Sequence, residues 1–329
     1  MTYRRLGSTG LRVSAVAFGA GPVPALMTGD GVDRQRAVLR RALDAGVNWI
    51  DTAATYGQGR SESSLGAALH ALDAADAVQV ATKVRLAPDE LDDIPGCIRA
   101  SVAGSLQRLG LERVSLLQLH NSVTARRGDE PTSITPADVL GPGGVLEAFE
   151  ALRSEGKVAH LGLTGLGHPE ALRRVIESNH FETIQVPFNP LNPSAGRTMP
   201  DGFEETDYGN IIADCARAGM GVFAIRVFAG GALAGQPPSD HTHKTKFFPL
   251  DLYQRDQRRA ARLADRIGKR MSVPEMAVRF VLGHPHVTSA ILGYSEPAHV
   301  DAAVAALEAG PLPDDVLKML EIQGLDEES

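Results

Sequence analysis

Four polar residues lie where three apolar segments of the sequence end. Asp51, Lys83 and His120 each close an apolar run, and Tyr56 follows Asp51 by five residues. If the three runs are parallel strands of one barrel, their carboxyl ends meet at one mouth and these side chains converge there. A phenol, an ammonium, a carboxylate and an imidazole together suit the movement of a proton to or from a carbonyl oxygen.

Carbonyl reduction needs a proton donor beside the oxygen while hydride reaches the carbon. A free phenol, with a pKa of about 10, holds its proton too tightly to serve both directions near neutral pH. An ammonium about 4 Å away, at an effective dielectric near 20, favours a phenolate by about 4 kcal/mol, or up to about three pK units. We therefore expect Tyr56 to be the general acid and base, tuned by Lys83 and Asp51. His120 is expected to donate the hydrogen bond that orients the carbonyl.

Each of these residues alone also has an ordinary structural explanation. Asp51 could cap the following helix and Tyr56 could be a packed loop aromatic. Lys83 could extend its amine to solvent, and His120 could be a hydrogen-bonded residue of the rim. Their arrangement at the same end of consecutive predicted strands favours the catalytic interpretation.

The elements that must position these residues repeat along the chain as an amphipathic helix, a glycine stop and a short apolar strand. Eight such strands predict a closed (β/α)8 TIM barrel. An N-terminal β-hairpin turning at residues 8–10 precedes it and is expected to cover the bottom of the barrel. We predict one domain over residues 1–329. The predicted strands are 16–19, 47–51, 78–83, 114–120, 158–164, 183–188, 221–227 and 288–293.

Three longer stretches follow strands, at the side where barrel sites are built, and are expected to be irregular loops that set substrate specificity. They span residues 121–137, 189–207 and 232–250.

Composition narrows the class of protein. The net charge of -7 and the absence of long basic runs argue against nucleic acid as a partner. The sequence has neither an apolar secretory leader nor a run of the roughly 20 apolar residues that would span a membrane. With Cys97 and Cys215 as the only cysteines, a disulfide framework is not expected, and we predict a cytoplasmic protein.

Two other patterns carry less weight. The segment 19–24, GAGPVP, departs from a dinucleotide-binding GxGxxG motif because Pro24 replaces the third glycine, so a loop at the mouth is expected instead. The histidine pairs at 241/243 and 284/286 have no cysteine or carboxylate neighbours at ligand spacing, so no metal site is predicted.

Three segments, NWIDTAATYGQGRSE (48–62), VATK (80–83) and LLQLHN (116–121), resemble the catalytic segments of the aldo-keto reductases in order and spacing. The resemblance extends over nearly the whole chain and is strongest to the branch of sugar and aldose reductases and dehydrogenases. It implies a nicotinamide cofactor, usually NADP(H), bound across the barrel mouth. It also implies a small carbonyl or sugar substrate. Members of such a family are monomers, dimers or larger assemblies, so the sequence leaves the oligomeric state open, a homo-oligomer included.

The resemblance also implies which residues hold the cofactor. Thr164 and Gln185 correspond to positions near the carboxamide, residues 228–235 to the loop over the pyrophosphate, and residues 293–299 to the site of the adenosine ribose or 2′-phosphate. The full implied set is Thr164, Gln185, Arg226, Phe228, Ala229, Gly230, Gly231, Leu233, Gly293, Ser295 and His299.

The sequence departs from the family pattern at several of these positions. Gly165 replaces an asparagine that usually binds the carboxamide, and Ile225 replaces an aromatic residue that often stacks on the nicotinamide. Arg226 stands where a small polar residue is common, either to bind an anionic or polyhydroxylated substrate or to form a salt bridge inside the mouth. Glu296, with no Lys or Arg in residues 293–299, leaves NAD(H) open beside the more expected NADP(H).

The main hypothesis is an oxidoreductase that moves hydride between a nicotinamide cofactor and a small aldehyde, ketone or sugar-type alcohol. One alternative is a nicotinamide-binding sensor or regulatory subunit with slow turnover, as in potassium-channel β-subunits, which resemble the same family. Another is a non-redox lyase of the same barrel fold that uses Lys83 as a Schiff base.

Overall fold

The computed structural model describes residues 1–246 and 248–321. An antiparallel hairpin of β1 (Tyr3–Arg5) and β2 (Arg12–Ser14) precedes a closed barrel of eight parallel strands, so the predicted (β/α)8 fold with an N-terminal hairpin is confirmed. The barrel strands pair in chain order, and the last returns to the first. They are β3 (Val16–Gly19), β4 (Trp49–Asp51), β5 (Gln79–Val84), β6 (Val114–Leu119), β7 (Val158–Thr164), β8 (Thr183–Pro187), β9 (Gly221–Ile225) and β10 (Ser289–Gly293).

The hairpin closes the bottom of the barrel, as expected. Leu6 and Val13 are fully buried with the large residues of the barrel interior, where the rings of Trp49 and Phe223 stack with centroids 4.8 Å apart. A Cβ on Gly7 would lie 2.2 Å from the backbone nitrogen at the start of β9, so the hairpin touches the strand end directly. The barrel interior is therefore a filled core, and a ligand site is expected at the other end, where the strands terminate.

Helices surround the barrel, and the four glycine stops proposed from the sequence at residues 46, 110, 156 and 219 all have a positive φ. The helices are α1 (Val32–Asp44), α2 (Arg60–Ala71), α3 (Ile94–Leu109), α4 (Pro136–Leu140), α5 (Val145–Ser154), α6 (Pro169–Ile176), α7 (Ile211–Arg217), α8 (Asp240–Lys244), α9 (Leu250–Ile267), α10 (Val273–Gly283), α11 (Pro297–Glu308) and α12 (Asp314–Glu321). Short 3-10 turns lie at Ala75–Ala77, Pro88–Glu90 and Ala229–Ala234.

Two of the three loops expected to be irregular contain a short helix instead. Thr135 and Ser239 begin α4 and α8, and each hydroxyl accepts a hydrogen bond from the backbone N–H three residues later. These caps stabilise five-residue helices that the apolar periodicity does not reveal.

Cys97 on α3 and Cys215 on α7 are free thiols, in agreement with the sequence prediction. Among the helices of residues 1–246 and 248–321, none has the length and apolar character needed to cross a membrane.

Candidate active site

The mouth of the barrel collects the four predicted catalytic residues. Asp51 is the last residue of β4, Lys83 is the last but one of β5, and His120 follows the end of β6. The register aligns Asp51 with Ala81, so Lys83 extends one pleat further on the same side of the sheet. The convergence expected from the sequence is present.

Lys83 is the centre of this group. Its ammonium donates hydrogen bonds to Asp51 Oδ2 at 2.6 Å, to the carbonyl of Thr52 at 2.8 Å and to the hydroxyl oxygen of Tyr56 at 3.2 Å. Burial by itself lowers the pKa of Lys83, but the charges and hydrogen bonds of Asp51 and Tyr56 outweigh it and raise the pKa above its ordinary value. Lys83 is therefore a fixed cation beside the phenol.

Tyr56 lies in the turn between β4 and α2, where Gly57 and Gly59 adopt positive φ angles of 59° and 88°. These residues turn the chain sharply enough to place the half-buried phenol above Lys83, whose ammonium lies 4.7 Å from the ring centroid. The predicted mouth loop also contacts this ring, since a Cβ on Gly21 would lie 3.7 Å from it. The hydroxyl is thus held between an ammonium and the open mouth.

His120 packs edge-on against the Tyr56 ring, with centroids 5.6 Å apart and planes at 84°. Its burial, and then the positive charges of Arg85 and Lys83, hold the pKa of His120 well below its usual value, so the imidazole is neutral. Thr55 Oγ1 lies 3.3 Å from Nδ1 of His120. If this hydroxyl donates, the ring proton resides on Nε2, where it can donate to a substrate oxygen.

Asp51 has two further partners that the sequence analysis missed. Its Oδ1 accepts hydrogen bonds from the side-chain amides of Gln118 at 3.2 Å and Gln185 at 2.5 Å. The resemblance assigns Gln185 to the cofactor, and in the structure its side-chain amide donates to the carboxylate of Asp51. Gln118 was identifiable as the single amide in an apolar strand, two residues before His120 and so on the same side of the strand.

The end of β7 explains one departure from the family pattern. The hydroxyl of Thr164 donates to the backbone carbonyl of Leu119 at 3.1 Å. At Gly165 a Cβ would lie 2.8 Å from Val186 and 3.0 Å from Ile184, so there is no room for the side chain of an asparagine. The side chains of Val186 and Ile184 on β8 thus occupy the space that an asparagine at position 165 would need.

Residues 228–235 form a tight turn after β9. Gly230 and Gly231 have φ angles of 72° and 111°, which glycine adopts without strain. The N–H groups of Gly231 and Leu233 both donate to the carbonyl of Phe228, at 2.9 Å and 3.1 Å. Ala229 and Leu233 bury their side chains in the core, and Phe228 is half-buried against it. The turn is thus held by its own backbone hydrogen bonds and by buried apolar side chains.

Ser295 and His299 form a local network at the start of α11. The Ser295 hydroxyl lies 3.1 Å from Nδ1 of His299, and Glu296 lies 3.2 Å from Nε2 of the same ring. Gly293 is required by packing, because a Cβ would lie 2.4 Å from Pro24 of the loop after β3. A ribose or phosphate bound here would meet the hydroxyl of Ser295 and the imidazole of His299. The carboxylate of Glu296 would repel a phosphate.

Arg226 follows β9 directly and faces the mouth. Its guanidinium stacks on Phe248 at 3.5 Å from the ring centroid and forms no ion pair with a residue in 1–246 or 248–321. The salt-bridge explanation offered by the sequence is therefore wrong for the described residues.

Within residues 1–246 and 248–321, no three His, Cys, Asp or Glu side chains cluster in a way that could hold a metal ion. His284 instead packs edge-on against Phe188, with its Nε2 3.3 Å from the carbonyl of Gly196.

Comparison with known proteins adds independent findings. The model of the Aldo/keto reductase family matches residues 28–323. The chain is 32% identical over 328 residues to D-threo-aldose 1-dehydrogenase of Pseudomonas sp, covering 92% of each protein. It is 28% identical to L-galactose dehydrogenase of Arabidopsis thaliana, covering 92% of this chain and 87% of that protein.

Two solved structures have the same architecture. An aldo-keto reductase from Bacillus halodurans in its holo form superposes with a TM-score of 0.72 at 23% identity, covering 98% of this chain and 95% of that one. A glycerol dehydrogenase from Gluconobacter oxydans superposes with a TM-score of 0.70 at 26% identity, covering 97% and 94%.

Proposed function

The chain belongs to the aldo/keto reductase family and is a nicotinamide-dependent oxidoreductase, and we propose that it transfers hydride between NADP(H) and a small aldehyde, ketone or aldose-type sugar, with Tyr56 as the general acid and base. The observation that carries the proposal is the contact of the Tyr56 hydroxyl with the buried ammonium of Lys83 at 3.2 Å.

The cofactor would lie along the barrel mouth between the two segments that the resemblance assigns to it, the turn at residues 228–235 and the Ser295–His299 network. Its nicotinamide would supply or accept the hydride. The protein residues would orient the substrate and move the proton.

In the direction of reduction, the carbonyl oxygen is held within hydrogen-bond reach of Tyr56 Oη and His120 Nε2. As the carbon gains hydride, the oxygen takes the phenolic proton of Tyr56 and becomes a hydroxyl. The resulting phenolate stays beside the Lys83 ammonium, which stabilises its charge until a proton returns from solvent. Oxidation of an alcohol follows the same steps in reverse.

The non-redox alternative is poorly supported by the position of Lys83. A Schiff base needs a neutral amine with access to the substrate carbon. Lys83 is 1% exposed, and its ammonium donates three hydrogen bonds, to Asp51, Thr52 and Tyr56. Burial by itself would lower its pKa, but the charges and hydrogen bonds of Asp51 and Tyr56 outweigh burial, so the pKa of Lys83 is raised. We expect borohydride to trap no adduct on Lys83 in the presence of a carbonyl substrate.

Calorimetric titration of the cofactor-free protein with NADPH and NADH, followed by assay with aldoses, tests the proposal. Binding with steady turnover supports it. Tight binding with only very slow turnover would favour a regulatory role, and failure to bind either dinucleotide would contradict a redox function.

A further inference from the structure

Arg226 is a cation enclosed at the mouth without a counter-ion among the described residues. Its guanidinium lies against the face of Phe248 and close to the turn at Gly230, where a Cβ would lie 3.4 Å from Arg226 Nη1. Burial lowers the pKa of Arg226, and the more distant charges of Tyr208, Asp256 and Glu205 act in the opposite sense without reversing the shift. A guanidinium withdrawn from water and left without an anion costs free energy, which a bound anion would recover.

The nearest acidic side chains are already used by other arginines. Glu205 pairs with Arg255 at 2.9 Å and with Arg259, and Asp256 lies 3.9 Å from Arg259. Three guanidinium groups thus share two carboxylates in this region. Of the three, Arg226 is the one that forms no ion pair with either carboxylate.

The backbone of Arg226 is held in a conformation unusual for arginine. Its φ is 54°, in the left-handed region, which is strained for a residue other than glycine. Its carbonyl accepts hydrogen bonds from the Asn189 side chain at 3.0 Å and from the backbone N–H of Ala229 at 2.8 Å. The surroundings therefore fix the direction in which the side chain leaves the strand.

A second arginine stands nearer the reacting groups. Arg85 directly follows the end of β5 and comes two residues after Lys83. Residues two apart along an extended chain face the same side, so Arg85 is placed on the side of Lys83. Burial lowers the pKa of Arg85, and the charge of Tyr56 acts in the opposite sense. Arg85 also contributes to the lowered pKa of His120. Arg85 therefore acts within electrostatic reach of both residues that would hold the substrate oxygen.

His241 on α8 lies within electrostatic reach of both arginines. Burial lowers the pKa of His241, and the charges of Arg226 and then Arg85 lower it further. The two guanidinium groups therefore act on the same imidazole, in a chain whose net charge is -7.

We propose that Arg85 and Arg226 form an anion subsite in the substrate pocket, so that the preferred substrate carries a carboxylate or phosphate group away from its reacting carbon. This inference rests on the proposed function and narrows its substrate class. Guanidinium groups suit such oxyanions because they can donate two parallel hydrogen bonds. Their positive charge also draws anionic substrates into the mouth of an otherwise acidic protein.

The test compares matched aldehydes that differ in one charge. 4-Carboxybenzaldehyde is set against methyl 4-formylbenzoate, and glyceraldehyde 3-phosphate against glyceraldehyde, for the wild type and for R85Q and R226Q. The control is R36Q, which removes one positive charge from the exposed face of α1. We expect the wild type to favour at least one charged probe by tenfold or more in kcat/KM. Each mouth variant should reduce that preference at least tenfold, and R36Q should keep it.

The proposal is overturned if the wild type shows no preference for either charged probe, or if the preference survives in both mouth variants. It is also overturned if R226Q weakens NADPH binding while the preference is unchanged, because Arg226 would then serve the cofactor. Preference for only one of the two probes identifies the anion as carboxylate or phosphate.

Turnover of the neutral probes separates the proposed function from the anion subsite. Reduction of the neutral aldehydes supports the proposed function whatever the charged probes show. If no probe reacts, the proposed function fails. The subsite is then judged by calorimetric binding of 4-(hydroxymethyl)benzoate and 1,4-benzenedimethanol. Binding of the anion alone, lost in R226Q, supports the subsite, and equal or absent binding overturns it.

Discussion

The ammonium nitrogen of Lys83 lies 2.6 Å from Oδ2 of Asp51, and neither side chain is more than 4% exposed. A buried charge whose partner is removed is strongly destabilising, typically by about 3–5 kcal/mol. We therefore expect D51N to lower the free energy of unfolding by about 3 kcal/mol or more, as well as to reduce turnover. Urea unfolding of the apoprotein measures the first effect.

The double variant D51N/K83M separates charge from packing. Because methionine brings no charge into the same space, the double variant should regain most of the stability that D51N loses and still lack activity. If D51N and D51N/K83M were equally unstable, the stability lost in D51N would not arise from the unpaired charge of Lys83.

Asp256 predicts a dependence of stability on pH. It is 6% exposed on α9, and its Oδ1 has no hydrogen-bond partner. Burial, with the nearby charge of Glu205, raises the pKa of Asp256 from 3.8 to about 6. Between about pH 4 and about pH 6, the folded protein therefore keeps a proton on Asp256 that the unfolded chain has released. As the pH rises through this range, Asp256 lowers the free energy of unfolding.

Replacing Asp256 with asparagine removes this loss. The stability of D256N relative to the wild type should increase through that window and level off above pH 6, by roughly 3 kcal/mol in total. D265N is the control, since it removes the same charge from an exposed position on the same helix. The assignment is contradicted if the difference in the free energy of unfolding between D256N and the wild type stays constant from pH 4 to pH 7.

Glu296 predicts a change in cofactor preference. Its carboxylate lies 3.2 Å from His299 Nε2, where a 2′-phosphate held by Ser295 and His299 would meet negative charge. E296Q should tighten NADPH binding about fivefold, or about 1 kcal/mol, and leave NADH binding nearly unchanged. E308Q, at the other end of α11, is the matched control. An equal effect on both dinucleotides would place the 2′-phosphate elsewhere.

The grouping of the candidate catalytic residues at the barrel mouth could be predicted because its signal is local. Asp51, Lys83 and His120 are polar residues that end apolar strands, and the closed parallel topology forces such ends together. Gln118 and Arg85 were within reach of the same argument, because each shares a side of its strand with a predicted catalytic residue.

The remaining features depend on contacts between distant segments. The partner of Arg226 is the ring of Phe248, supplied by the loop before α9, so a strand pattern cannot decide between stacking and a salt bridge. Gln185 was linked to the cofactor through its position in the family, whereas its bond to Asp51 crosses the barrel interior. The lack of room at Gly165 arises from Val186 on the neighbouring strand. Side-chain packing across strands is not encoded in periodicity.

The central claim is that the Tyr56 hydroxyl supplies the proton. The most direct measurement is the single-turnover rate of hydride transfer, followed by NADPH absorbance, for wild type, Y56F and the control Y3F. The Y3F substitution removes only the hydrogen bond from the Tyr3 hydroxyl to the carbonyl of Gly46, which lies outside the mouth. We expect Y56F to slow transfer by at least about a hundredfold while its NADPH dissociation constant stays within threefold of wild type, and Y3F to match wild type. Transfer in Y56F at a rate close to wild type would contradict the account.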